Sequence, residues 1–205
     1  MRANEPNGPR AGPFFLGRTA AGNVWSIGAG VGDGLAAELA VLARAEPVTA
    51  DWREPPRCRD EVVGLLGSAE GEWRGPAYVV PAGAASEGPT VAVNGRNATL
   101  LGDRFGDLPA QLEARAPCLA VVEGGRALAV CFSSRIGERA CEAGVETLPE
   151  QRGRGLAGLA VGAWAVEVRR RSKVPFYSTS WQNRSSRRVA EKLGMRPFGE
   201  DWHLG

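Results

Sequence analysis

The chain has 205 residues, and its 25 basic and 23 acidic side chains leave a formal net charge of +2. Hydrophobic residues make up 43% and charged ones 23%, which argues against wholesale disorder, and the near-neutral balance argues against a general nucleic-acid or membrane-surface binder. The length suits one compact domain, or one with a smaller appendage, and no apolar run reaches the ~18 residues needed to cross a bilayer. The opening MRANEPNGPRAGPFF lacks the charged-then-apolar order of a secretory signal, so a soluble, cytoplasmic protein is expected.

Lys173 and Lys192 are the only lysines, an arginine bias that reads, with 28 Gly and 14 Pro, as a G+C-rich coding imprint. Cys58, Cys118, Cys131 and Cys141 form no C-x-x-C pair, and His203 is the sole histidine, so no metal site is expected. Three of these thiols sit in strand-like runs, where a reduced cysteine acts as a small hydrophobe.

Taken in chain order, the first dozen residues read as a loose tail. PFFLGR and NVWSIG then suggest a hairpin. Leu35, Leu39 and Leu42 mark a helical stripe, and residues 60–66 a short helix with Asp60 as its N-cap and Gly67 closing it. Residues 71–89 read as loop with one strand at 77–80, and residues 97–115 as mixed and partly helical. From Pro117 the pattern sharpens. Strands are expected at 118–122 and 126–133 across the Glu123-Gly124-Gly125 turn, and a third at 139–148. A helix follows over 155–171, a strand over 174–180, a helix capped by Asn183 and ended by Gly194, and a last strand from about 195 to 204. The order implies a layered α/β or α+β fold.

The strongest local feature is Gln151-Arg152-Gly153-Arg154-Gly155-Leu156-Ala157-Gly158, between a strand and a helix. Its glycines permit a tight turn, the helix start offers unpaired N–H groups, and Arg152 and Arg154 add charge, together a site for a phosphate or pyrophosphate. Gly153-x-Gly155-x-x-Gly158 also satisfies the dinucleotide fingerprint, so NAD or NADP is weighed. That fingerprint wants an acidic residue at the end of the next strand, and Ser178-Thr179-Ser180-Trp181 supplies none.

Arg152-Gly153-Arg154-Gly155-Leu156-Ala157 resembles the R/Q-x-x-G-x-G/A signature of the GNAT superfamily of acyl-CoA-dependent N-acetyltransferases. Asn183-x-x-Ser186 followed by Ala190-Glu191-Lys192-Leu193-Gly194-Met195 is similar to that family's N-x-x-A/S…K-L-G-F helix and turn, at the family's spacing. Within the family the chain looks nearest the glycine-N-acyltransferase-like branch. The resemblance implies a mixed, mostly antiparallel sheet flanked by helices, with splayed strands at the cofactor cleft. It implies a core over 117–205, and a divergent half over 1–116 that completes the sheet or forms a degenerate lobe.

The resemblance further implies acetyl-CoA as donor and transfer to a primary amine, of a small molecule or peptide, by direct attack in a ternary complex. Arg152, Gly153, Arg154, Gly155, Leu156 and Ala157 would hold the pyrophosphate, Thr147 and Leu148 the pantetheine arm, and Asn183 and Ser186 the arm's amide region. Glu146 is the expected general base and Glu142, four residues earlier on the same strand face, the fallback. The family's helix tyrosine, which protonates the departing thiolate, is replaced by Ala190, with Tyr177, Ser178 and Ser180 on the neighbouring strand. That gap keeps a catalytically silent acyl-CoA-binding module in view. Trp164, Phe176 and Trp181 are read as core or as acceptor-pocket walls. A homodimer is left open; nucleic-acid and membrane partners are not expected.

Overall fold

The structure, a computed structural model, describes residues 12–84 and 88–205. The tail expected at the start lies, over residues 1–11, outside the described residues. The chain forms a hairpin of β1 (Phe14–Thr19) and β2 (Gly22–Ile27), helices α1 (Asp33–Ala45) and α2 (Arg59–Leu66), then β3 (Trp73–Val79) and β4 (Thr90–Val93). After α3 (Leu108–Gln111) come β5 (Cys118–Glu123), β6 (Arg126–Ile136) and β7 (Ala140–Thr147). Helix α4 (Leu156–Arg170), β8 (Val174–Ser178), α5 (Arg184–Lys192) and β9 (Pro197–Leu204) complete it.

All nine strands join one sheet in the order β2-β1-β9-β3-β8-β7-β6-β5-β4, and every neighbouring pair is antiparallel except β7 and β8. This is the mixed, mostly antiparallel sheet with flanking helices that the family resemblance implied. The N-terminal strands β1, β2 and β3 continue the sheet past β8, and β4 forms its far edge.

Strand alternation decides what each face meets. Phe14, Leu16, Trp202 and Leu204 point to α1 and α2 with Leu39, Ala43 and Val62. Cys131, Cys141 and Tyr177 point to α4 and α5 with Val161, Trp164 and Ala190. Cross-strand register puts both groups on one face, so all four longer helices pack there. The opposite face is covered over β4–β6 by the passage containing α3, where Leu101, Phe105, Leu108 and Leu112 meet Ala120, Val130 and Phe132. Residues 118–121 are buried along their whole length because helices cover one face and this passage the other.

Local departures from the sequence expectation have physical causes. Cys58, not Asp60, takes the N-cap of α2; Asp60 lies in the first turn, 2.8 Å from Arg59. Strand β3 begins at Trp73 rather than at 77, because Gly75-Pro76 hides a ladder in which Trp73 through Ala77 pair with β9. Strand β4 was not legible in a Gly/Pro-rich stretch, and it forms by pairing with β5.

The helix face also buries charge. Arg18, 3% exposed, donates to Glu200, 1% exposed, lies 3.3 Å from Glu46, and donates to the Glu54 carbonyl at 2.6 Å. Arg74 pairs with Glu200 at 3.2 Å and Trp181 Nε1 donates to it at 2.6 Å. Glu46 accepts the Arg57 and Cys58 N–H groups, so the segment after α1 is stitched to the sheet. All four cysteines are free and buried; burial pushes Cys58 and Cys118 up to about 12 and Cys131 well above the usual thiol range. Those three thiols stay protonated, and all four serve as packing groups. Among the described residues no helix is long and apolar enough to cross a membrane.

Candidate functional site

The one parallel pair in the sheet is also a short one. Strands β7 and β8 pair only at Ala140↔Val174, Cys141↔Pro175 and Glu142↔Phe176. Beyond Glu142, β7 stays on β6 as far as Thr147, whereas Tyr177 and Ser178 pair with β3. The two strands therefore part. The Leu148 N–H donates to Leu128 O at 3.0 Å on the β6 side, and Val174 N donates to Arg139 O on the β8 side. Alternation along the strand then turns the N–H and C=O of Ala143, Val145 and Thr147 toward the gap. Five residues at ~3.3 Å each make a slot about 16 Å long, closed at Glu142 and open toward the loop before α4. Of the pair expected to face a pantetheine arm, Thr147 has this orientation; the Leu148 N–H is committed to Leu128, and its side chain packs beneath β6. Val145 is the further backbone position that sequence reading passed over.

A tight turn sits at the mouth. After a 3₁₀ turn at Pro149–Gln151, Gly153 and Gly155 adopt φ of +81° and +82°, the left-handed region that other residues enter only with strain. Gly155 caps α4 without a side-chain bond, and its carbonyl accepts from Gly158 and Leu159. The Leu156 and Ala157 N–H groups, in the first turn, are left for solvent or a ligand. Leu156 buries its side chain in the core, so its part is played by the backbone. Arg152 and Arg154 are exposed beside this turn; Arg154 pairs with Glu123 at 3.1 Å and bonds Gln151.

On the other side of the slot, Asn183 Oδ1 accepts the Ser186 N–H at 3.0 Å and so caps α5, as its position in the sequence suggested. The Ser186 hydroxyl bonds the Tyr177 hydroxyl. Tyr177 is buried on the helix face, and burial pushes its phenol up to about 12, against the Ser186 bond. Ala190, at the family's tyrosine position, is wholly buried in the same cluster. Trp164 is core, with Nε1 bonded to Ser133, and Trp181 belongs to the Glu200 network.

Glu146 and Glu142 share the face away from α4, where the covering passage stops. Glu146 is exposed; partial burial raises its carboxyl above the usual range, opposed by Arg115. Glu142 sits where the slot closes, with Oε1 accepting the Ser178 hydroxyl and Oε2 2.9 Å from Arg135 Nη1. The same face carries Asp201 and His203 on β9, unremarked as a group in the sequence because 59 residues separate Glu142 from Asp201. Burial first and the Glu142 charge second push Asp201 up to about 7, with Arg135 opposing and Glu200 adding. His203 stacks on Trp73, with ring centroids 5.2 Å apart; burial and Arg135 hold it below its usual value, against Glu142. Phe176 and Phe198 pack at 5.4 Å along this open face.

Residues 104–200 match the family model for GNAT acetyltransferases. That match covers β5–β8, the turn and the slot, a little under half of the chain, and it is what this portion of the chain is similar to. The structure resembles a GCN5-related N-acetyltransferase-like protein from Streptococcus suis, with TM-score 0.55 and 14% identity over 99% of this chain and 87% of that one. A Drosophila protein gives TM-score 0.56 and 17% identity over 98% and 77%. A GNAT-family protein from Novosphingobium aromaticivorans gives TM-score 0.50 and 22% identity over 65% of this chain; the match spans 64% of that protein, a little under two thirds. At such identities these likenesses concern the fold. No curated protein sequence matches the chain.

Proposed function

We propose that the protein is an N-acetyltransferase that takes the acetyl group of acetyl-CoA to a primary amine by direct attack in a ternary complex. The observation that carries this reading is the slot between β7 and β8, walled by backbone polar groups and opening on the glycine turn of α4. That edge suits the amides of a pantetheine arm, and the Arg152–Ala157 turn with its unpaired N–H groups suits a pyrophosphate. When bound, the donor supplies an activated thioester whose thiolate is a tolerable leaving group.

The chain's own groups would do the rest. Backbone N–H groups of β7 at Val145 and Thr147 would hold the arm and stabilise developing negative charge on a carbonyl oxygen, a contribution of ~3 kcal/mol for a well-aimed donor. Asn183 would orient α5 beside the arm through its cap, and Tyr177 with Ser186 offers a neutral hydroxyl pair on the helix side. The acceptor amine must lose a proton before it attacks, and the open face supplies carboxyls, Glu146 and Glu142 among them, for that step. Four buried free thiols fit work in the reducing cytoplasm.

Thermal melting with acetyl-CoA, coenzyme A, NAD and NADP tests the reading. A ligand at about 100 times its dissociation constant adds ~2.7 kcal/mol. Stabilisation by the coenzyme A compounds alone is expected; stabilisation by NAD or NADP alone would reject the slot assignment. Thiol release is then measured with a primary-amine panel that includes glycine, the acceptor that the glycine-N-acyltransferase-like branch implies. Binding without release across that panel would leave a silent acyl-CoA module.

A further inference from the structure

Resting on the acetyltransferase reading, we infer that Asp201 on β9 is the general base for the acceptor amine, with Glu142 as a fixed charge that holds the ammonium beside it. The slot closes at Glu142 and Phe176, so the donor end that reaches furthest along it arrives at this point of the open face. Both Glu142 oxygens are already engaged there, by Ser178 and Arg135. Glu146 lies four residues back toward the slot's mouth and is exposed. Asp201 differs from both. It is partly buried, and no described residue donates a hydrogen bond to it or pairs with it in a salt bridge.

Its cross-strand neighbours bring it no side-chain donor. The cross-strand neighbours of Asp201 are Gly17 on β1 and Gly75 on β3, neither of which has a side chain. The charged and titratable groups on its face are Glu142 from β7, Arg135 from β6 and His203 from β9 itself, while Glu200 acts on it electrostatically from the opposite face of β9. A site with two carboxyls, one of them without a donor, and the Trp73–His203 and Phe176–Phe198 ring pairs nearby suits an amine on an apolar stem. The acceptor R–NH3+ gives one proton to an Asp201 Oδ. The freed lone pair attacks the thioester carbon, the C–N bond forms, the C–S bond breaks, and the second nitrogen proton goes to the thiolate. Atoms and charge balance, with one proton left on Asp201 to return to solvent.

The test compares wild type, Asp201→Asn, Asp201→Ala and Glu146→Gln for thiol release from acetyl-CoA across the neutral pH range. Asp201→Asn is expected to lose about 100-fold or more in kcat/KM and the rising limb near neutrality. Its stabilisation by acetyl-CoA in melting curves should match wild type, a readout independent of turnover. Asp201→Ala, which opens space beside two glycines, should be rescued by added formate; a structural role predicts no rescue. Turnover within about threefold of wild type in Asp201→Asn, or loss of the limb in Glu146→Gln instead, overturns the assignment while leaving the acetyltransferase reading intact. A wild type that releases no thiol with any amine overturns the reading itself and this inference with it.

Discussion

Replacing Asp201 with asparagine should make the unliganded protein more stable at alkaline pH, and the gain should vanish in acid. In the folded chain the Asp201 carboxyl is raised from 3.8 to about 7, chiefly by burial and then by Glu142. A carboxyl raised on folding binds its proton more tightly in the native state, so stability falls as pH climbs from the unfolded value toward the folded one. Three pH units at 1.36 kcal/mol each give about 4 kcal/mol, present as a penalty in wild type above neutrality and absent below about pH 4. Asparagine carries no charge and has nearly the same shape, so it escapes the penalty. For a chain of this size that corresponds to a rise in melting temperature of about 10 °C at pH 8, shrinking steadily as pH falls. Denaturant unfolding of both proteins at several pH values measures the difference directly. A difference that does not change with pH would refute the burial argument, because a lost packing contact has no reason to titrate.

Three further perturbations follow from the packing. Gly155→Val has open space for its side chain but must adopt φ of +82°, so it should cost about 1–2 kcal/mol in stability and abolish the thermal shift given by acetyl-CoA; an unchanged shift would reject the turn as the anion site. At Gly75 an added Cβ would fall inside the Thr179 carbonyl oxygen and press on Ser180, so Gly75→Ala should lower stability by about 3 kcal/mol in urea titrations, and a neutral outcome would contradict the close approach of β3 to the chain after β8. Arg18→Met strips the buried Glu46 and Glu200 of their shared cation and should cost about 3–5 kcal/mol by the same measurement; a loss below about 1 kcal/mol would mean that Arg74 and Trp181 alone suffice.

How much of this could be read from the sequence depended on whether a feature is local. The hairpin of β1 and β2, helix α1, and everything from β5 to β9 carry their own signals: period-two runs, a leucine stripe, and caps such as Asn183 and Gly67. The Arg152–Ala157 turn was legible because left-handed glycines and a helix start lie within six residues. Strand β3 was legible only from residue 77, since Gly75-Pro76 breaks its alternation, and β4 was not, having four residues held by pairing with β5. The slot as such was invisible too. It arises because β8 leaves β7 after Phe176 to pair with β3, a partner about a hundred residues earlier in the chain, and no local pattern announces that exchange. The same exchange gathers Glu142, Asp201 and His203, which is why β7 alone was read for a base.

The contrast between two adjacent residues of β9 gives the clearest statement of what the fold is built to do. Glu200 and Asp201 point to opposite faces of one strand. On the helix face, Glu200 is buried, and Arg18, Arg74 and Trp181 together occupy both its oxygens, the compensation a buried carboxylate requires. On the open face, Asp201 has no donor among the described residues and lies between two glycines, although Arg135 stands near enough to act on it electrostatically and is spent on Glu142. A sheet able to satisfy one carboxyl three times over has the means to satisfy its neighbour. On the proposal made above, this partly buried carboxyl on the same face as Glu142 costs stability above neutral pH and would serve as the proton acceptor that acyl transfer to an ammonium requires. If the penalty titrates as that environment requires and the rate limb moves with it, one group accounts for both.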